Sequence, residues 1–230
     1  GLSEYVRATG DKRSLEVAMS LYNDIEKYAF DADNNGYIEA LTRDWKPIDD
    51  MRLSDKDENG SRTMNTHLHI IEPYTNLYRV WKDKNLEQSM RNLLRIFTDK
   101  FLNTETYHLD LFFDDKWEGK RNVESYGHDI EASWLLHESA LVLDLAPEWQ
   151  AAFERVYNVL QRKDGLKLII ATYFETLGAN LNLAVNLPVA GLHIDITREK
   201  QGEFFWKKVI DQLPTHKILS LGLINGRSVW

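Results

Sequence analysis

Asn65-Thr66-His67-Leu68-His69-Ile70-Ile71-Glu72-Pro73-Tyr74-Thr75-Asn76-Leu77-Tyr78-Arg79-Val80-Trp81-Lys82-Asp83 aligns without a gap to Tyr126-Gly127-His128-Asp129-Ile130-Glu131-Ala132-Ser133-Trp134-Leu135-Leu136-His137-Glu138-Ser139-Ala140-Leu141-Val142-Leu143-Asp144. His67 falls on His128 and Asp83 on Asp144. Both segments read as helices, and the flanking sequence repeats as well. Upstream, Leu15, Ala18, Met19, Tyr22, Ile25 and Ala29 recur at three- and four-residue spacing, one face of an amphipathic helix over Ser14–Phe30. The run Asp31-Ala32-Asp33-Asn34-Asn35-Gly36 ends it, and Tyr37–Leu41 alternates as a short strand does. Between the two aligned segments the pattern returns. Leu86, Met90, Leu93, Leu94, Ile96, Phe97 and Phe101 form an apolar helical stripe, and Tyr107–Phe113 reads as another short strand.

A period of roughly sixty to seventy residues, each unit giving two helices and a short strand, argues for stacked helical hairpins rather than a βαβ sheet. The expected class is all-α, a toroid of helical hairpins with short β-strands in its loops. In such a ring one helix of each pair lines the inside, and its N-terminal residues open onto the mouth where a ligand sits. Gly1–Thr9 reads as the last turns of a helix ending at Gly10, so further hairpins are expected upstream. For the same reason a signal peptide on a longer parent chain is not excluded. From about Asp164 the character changes: Leu166–Leu192 is apolar and Asn-rich without clear helical periodicity. The expected organisation is 1–163 as part of an α/α barrel and 164–230 as a divergent or disrupted continuation of the same domain.

Composition narrows the function. The 230 residues carry a formal net charge of −8, which repels a phosphate backbone, so no nucleic-acid partner is expected. Without cysteine there is no disulfide, thiolate zinc site or cysteine nucleophile. The apolar runs fall short of the roughly 20 residues that cross a bilayer, so no membrane partner is expected and the cytoplasm is the expected compartment. Seven Trp and ten Tyr suit stacking on sugar rings as well as core packing.

Asn65, His67 and His69 cluster at the start of one inner helix, and His128, Asp129 and Glu131 at the start of the other, so the two clusters can face one pocket. Histidine suits proton transfer near neutral pH. Glu131 and Trp134 lie close enough to His128 on the helix to act beside it. These histidines with Glu131 could also supply metal ligands, yet His67 and His69 at i, i+2 point to different sides and no H-E-x-x-H or EF-hand spacing occurs, so no metal is expected. His108 and His137 read as hydrogen-bonded structural residues. Asp49-Asp50 and Asp114-Asp115 read as loop carboxylates, although carboxylates paired across an α/α barrel would suit an inverting glycosidase.

Three motifs, Tyr37-Ile38-Glu39-Ala40-Leu41-Thr42-Arg43-Asp44-Trp45, Met64–His69 and Ser125–Trp134, resemble the cellobiose 2-epimerase branch of the N-acylglucosamine 2-epimerase superfamily in register, from residue 1 to about Asp144. The resemblance implies an (α/α)6 barrel, incomplete here. It also implies an isomerase that, without an external cofactor, converts the reducing-end glucose of a β-1,4-linked disaccharide to mannose. By the same resemblance His128 is a general acid/base, His69 and Asn65 assist ring opening and steady the enediolate, and Glu131 and Trp134 complete the pocket. Mannobiose or an N-acylglucosamine are alternative substrates, and an inactive sugar-binding remnant is the non-enzymatic alternative. The family's Trp-Trp-x-Gln-Ala-Glu and Trp-Lys-Cys-Pro-Tyr-His segments are not intact. Tyr173-Phe174-Glu175 is a weak stand-in for the aromatic pair, and Arg198–Trp206 resembles the strand before the late motif. Asn225-Gly226-Arg227 resembles the residues just after that motif, and Ile224 stands where its histidine is expected.

Overall fold

A computed structural model describes residues 1–145 except 56 and 122, together with 147, 167, 169–172, 177, 181–187, 189–197 and 205–223. The chain divides into two compact units, 1–159 and 160–230.

In the first unit, α1 (Leu2–Thr9) closes on Gly10, whose φ of 71° is the left-handed conformation that glycine tolerates and whose N–H bonds the Val6 carbonyl. Asp11 then caps α2 (Lys12–Tyr28) by accepting the Ser14 N–H at 2.7 Å. The chain returns through a small antiparallel hairpin, β1 (Phe30–Asp31) with β2 (Gly36–Tyr37). Asp31 organises the turn by accepting the N–H groups of Asp33 and Asn34.

β3 (Arg62–Thr63) leads directly into α3 (Met64–Val80), capped by the Thr63 hydroxyl at the Thr66 N–H, 3.1 Å. Pro73 sits inside α3 and removes the bond its amide would make to the His69 carbonyl. Asp83 caps α4 (Lys84–Ile96) through the amides of Asn85 and Leu86, and one π turn, Phe97–Phe101, extends it. β4 (Phe112–Phe113) and β5 (Gly119–Arg121) join β3 in an antiparallel sheet ordered β3-β4-β5. The chain then enters α5 (Tyr126–Val142).

The helices and turns agree with the expected repeat: α3 and α5 occupy the two aligned segments and pack on each other. The strands are shorter than the alternation suggests: β2 ends at Tyr37, Leu109 makes only an isolated bridge with Leu102, and β4 begins at Phe112. The core between the helices is made by Met64, Leu68, Ile71, Leu86, Met90, Leu93, Leu94 and Phe101, all fully buried. At the α3–α5 contact the Thr75 and Ser139 hydroxyls lie 2.6 Å apart, each also within reach of a carbonyl of its own helix, Ile71 or Leu135; with one proton apiece, one hydroxyl donates across the contact and the other to its own helix. The carboxylate of Glu26 on α2 gathers Tyr37, Tyr74 and Ser89 hydroxyls at 2.7, 2.8 and 2.8 Å, tying α2 to β2, α3 and α4. The described residues form no closed ring.

The second unit departs from the all-α expectation. β6 (Ile169–Thr172), β7 (Gly191–Asp195) and β8 (Ile218–Gly222) form a parallel sheet, with helices α6 (Leu181–Asn186) and α7 (Phe205–Gln212) against it. Its own core joins Leu192 and Ile194 of β7 to Leu181, Val185, Phe205 and Val209. The physical reason is that the central strand β7 is buried at successive positions, so its sequence shows no alternation. Phe205 and Trp206, expected at the end of a strand, begin α7. Tyr173-Phe174-Glu175, Arg198–Phe204, Ile224 and Asn225-Gly226-Arg227 lie outside the described residues.

One close approach makes the hairpin testable. A Cβ on Gly36 would lie 2.6 Å from Trp117 Cζ2 and 2.8 Å from Arg62 Nε. Arg62 is itself buried, paired with Asp31 and set beneath the Trp117 ring, so neither neighbour yields cheaply. Gly36→Ala is expected to lower stability by about 1–3 kcal/mol in urea unfolding, as overpacking does. Gly119→Ala, which meets nothing within 4 Å, should stay within about 0.5 kcal/mol of the parent.

Candidate functional site

The start of α3 and the start of α5 share one cavity of about 160 Å³. Asn65 enters it from the first turn of α3, and His128 from the first turn of α5. Glu39, Arg52 and Asp57 supply its other polar wall, and Met64, Leu111 and Phe112 an apolar one. A mixed lining of this kind, with a few convergent polar groups on an apolar floor, suits a small polyol. The half-buried His128 keeps its Nδ1 shielded from solvent with no hydrogen-bond partner among the described residues. An unmet buried ring nitrogen costs free energy and is a common mark of a functional atom.

His67, aligned with His128, is placed quite differently. It is fully buried: its Nδ1 lies 2.7 Å from the Thr63 carbonyl and its Nε2 accepts the Tyr37 N–H at 3.0 Å. A carbonyl only accepts and an amide only donates, so the ring must be the neutral Nδ1–H tautomer. Burial pushes its pKa down to about 4, helped by the nearby Arg62 charge and opposed by the Thr63 bond. It is a bracket between α3 and β2, not a proton carrier.

His69 does not line the cavity. It is half exposed, with Nδ1 3.2 Å from Glu72 Oε2. Glu131 is half-buried and Trp134 is 56% exposed, both outside the cavity lining. Spacing still groups these residues: Asn65, His69 and Glu72 run along one face of α3, and His128, Glu131 and Trp134 along one face of α5. Each stripe begins in the cavity and continues onto an open helix surface.

A pair not singled out by spacing stands behind His128. Asp129, fully buried, holds His108 Nδ1 at 2.6 Å and accepts the Leu109 N–H at 3.0 Å. It therefore faces away from the cavity and pins the first turn of α5 to the 102–111 segment. Adjacency to His128 is the only sequence signal for it, because His108 arrives from a separate loop. Of the loop carboxylates, Asp50 is chelated by Arg52, and Asp114 accepts the Lys116 and Glu118 amides, both turn roles. Among the described residues no three His, Asp or Glu side chains converge as a metal ion would require. No described helix is long and apolar enough to cross a membrane.

Comparison with known proteins gives two different kinds of likeness. The chain is 64% identical over 143 residues to a cellobiose 2-epimerase of Bacteroides fragilis, a match covering 62% of this chain and 36% of that protein. The structure of cellobiose 2-epimerase from Bacillus thermoamylovorans superposes with TM-score 0.67 and 36% identity, over 70% of this chain and 42% of that one. A sugar epimerase from a ruminal bacterium gives 0.66 and 34%, over 70% and 42%. The chain thus spans well under half the length of these relatives. Residues 128–230 match a different family model, "Cobalamin-independent synthase, N-terminal domain".

The lowered pKa of His67 has a stability consequence. In the unfolded chain a histidine takes up its proton near pH 6.5; in the folded protein it resists until about pH 4. The unfolded state therefore binds more protons between these values, and stability is lost as pH falls through that window. Urea unfolding at pH 7.5 and pH 5 is expected to differ by roughly 2 kcal/mol from this residue, a difference that His67→Gln should remove while being less stable at pH 7.5.

Proposed function

Because the first unit belongs to the cellobiose 2-epimerase family, we propose that its cavity serves epimerisation at C2 of the reducing-end sugar of a β-1,4-linked disaccharide. The observation that carries this reading is that Asn65 and His128, on two packed and internally similar helices, open on one cavity. In the open-chain sugar the C2 proton is α to the C1 aldehyde. His128 takes that proton, the electron pair moves onto the C1 oxygen, and an enediolate forms. After rotation about the C1–C2 region the His128 imidazolium returns a proton to the opposite face of C2, which restores the aldehyde, regenerates neutral His128 and inverts the centre. The Asn65 amide is suited to donate to the developing oxyanion, an interaction of the type worth about 2.7–4 kcal/mol elsewhere. His69, Glu131 and Trp134, on the outer parts of the same two stripes, extend the contact to the rest of the disaccharide, for which mannobiose is as reasonable a candidate as cellobiose.

A second reading is favoured by one observation. Among the described residues His128 is the one histidine on the cavity, and on this reading a sugar is held there without a second histidine to move a proton. The first unit would then bind the disaccharide and exchange it slowly or not at all.

For the rest of the chain we infer a separate α/β module rather than a disrupted continuation of the ring. The parallel order β6-β7-β8, the separate core and the match to a different family model support this. On this reading the late catalytic histidine of the family is not to be sought among residues 160–230.

Incubation of the protein with cellobiose or mannobiose in D2O, with NMR as the readout, tests the proposal. Deuterium at C2 is expected, and His128→Ala should reduce its rate by about 10²–10⁴-fold, the usual range for a general acid/base. Exchange that is unchanged in His128→Ala would sink the assignment of that residue. No exchange from folded protein would favour the binding reading.

A further inference from the structure

The cavity contains a carboxyl group to which neither the family likeness nor the spacing assigns a role. Glu39 lies on the wall of the cavity that also holds Asn65 and His128. It is held at two points: its N–H bonds the Ser61 carbonyl at 2.9 Å, and its Oε2 accepts the Thr63 hydroxyl. That hydroxyl in turn caps α3 at the Thr66 N–H, one residue after Asn65. Carboxyl, cap and Asn65 are thus one rigid assembly.

What Glu39 lacks is a cation. Among the described residues no lysine, arginine or histidine pairs with it; Arg52, on the same cavity, is committed to Asp50 at 2.8 Å. Burial raises its pKa and nearby Asp57 adds to the rise, while the side-chain hydroxyls of Thr63 and Thr66 oppose it. A partly buried carboxyl with no compensating charge is destabilising unless its oxygens find donors. Fixed, desolvated acceptors of this sort cluster at ligand sites. A metal ion is a poor candidate for the missing partner, since no third ligand converges there among the described residues. Hydroxyl groups are a good one: they are neutral donors, and a carboxylate accepts from two at once.

We propose that Glu39 is a sugar-hydroxyl anchor of this cavity, accepting hydrogen bonds from a neutral polyol and setting its orientation relative to Asn65 and His128. The inference rests on the disaccharide reading above and adds a specificity-determining residue to it. Glu39 binds the sugar and moves no proton.

The test is titration of the whole chain with mannobiose and with cellobiose, monitored by ¹H–¹⁵N correlation spectra. Glu39→Gln keeps the shape and an acceptor for Thr63 but loses the charge. It should weaken binding by about tenfold or more, the size of a charge-assisted hydrogen bond, while the Asn65 and Thr66 cross-peaks of the free protein stay in place. Glu39→Ala should weaken it at least as far. Affinity equal to the parent in Glu39→Gln overturns the proposal and leaves the disaccharide reading standing. Weakened binding accompanied by displaced Asn65 and Thr66 cross-peaks also overturns it, in favour of a scaffold role. Absence of binding by the folded parent chain to either sugar overturns both.

Discussion

The arrangement of the first unit depends on the bracket made by the His67 ring. One nitrogen meets the Thr63 carbonyl at the start of α3, and the other receives the Tyr37 amide of β2. The ring also packs against Tyr37, Phe101 and Trp117. It thereby joins the hairpin, the helix and the end of α4 in one place, with the buried Arg62–Asp31 pair beside it. Because Thr63 is both the cap of α3 and the partner of Glu39, the bracket also decides where the cavity wall stands.

The helical frame is legible in the sequence because amphipathic periodicity is local. Gly10 ends α1 in the conformation that glycine permits, as its place after Gly1–Thr9 suggests, whereas the caps Asp11 and Asp83 emerge from the structure. The aligned histidines show where local reading stops. His67 and His128 occupy equivalent positions, yet one is locked as a neutral tautomer and the other lines a cavity. The difference is made by Tyr37, which arrives from an earlier hairpin. Asp129 is a similar case: an acidic residue in a first turn is ordinarily solvated, and only the approach of His108 buries it. His69 and Trp134, expected beside the reacting sugar, lie instead along the open part of their helix faces.

The second unit escapes sequence reading for a different reason. Gly191-Leu192-His193-Ile194-Asp195 and Ile218-Leu219-Ser220-Leu221-Gly222 are too short to show a helical period, and their mostly apolar character does not announce a parallel sheet by itself. The hairpin period is lost after Asp164, and the described residues of the second unit form a parallel sheet with a core of its own.

The meeting of α3 and α5 includes two small side chains, Thr75 and Ser139, both buried, and α5 buries Ala132, Ser133 and Ala140 as well. Their size acts as a spacer gauge. Two helix axes can come only as near as the groups between them allow, and here the Thr75 and Ser139 hydroxyls meet at 2.6 Å in a hydrogen bond that spans the contact. The width of the mouth between Asn65 and His128 is therefore set about three turns away, by residues outside the cavity lining. A methyl group gained at Ala140 would act as a wedge on the opening at the other end of the helix.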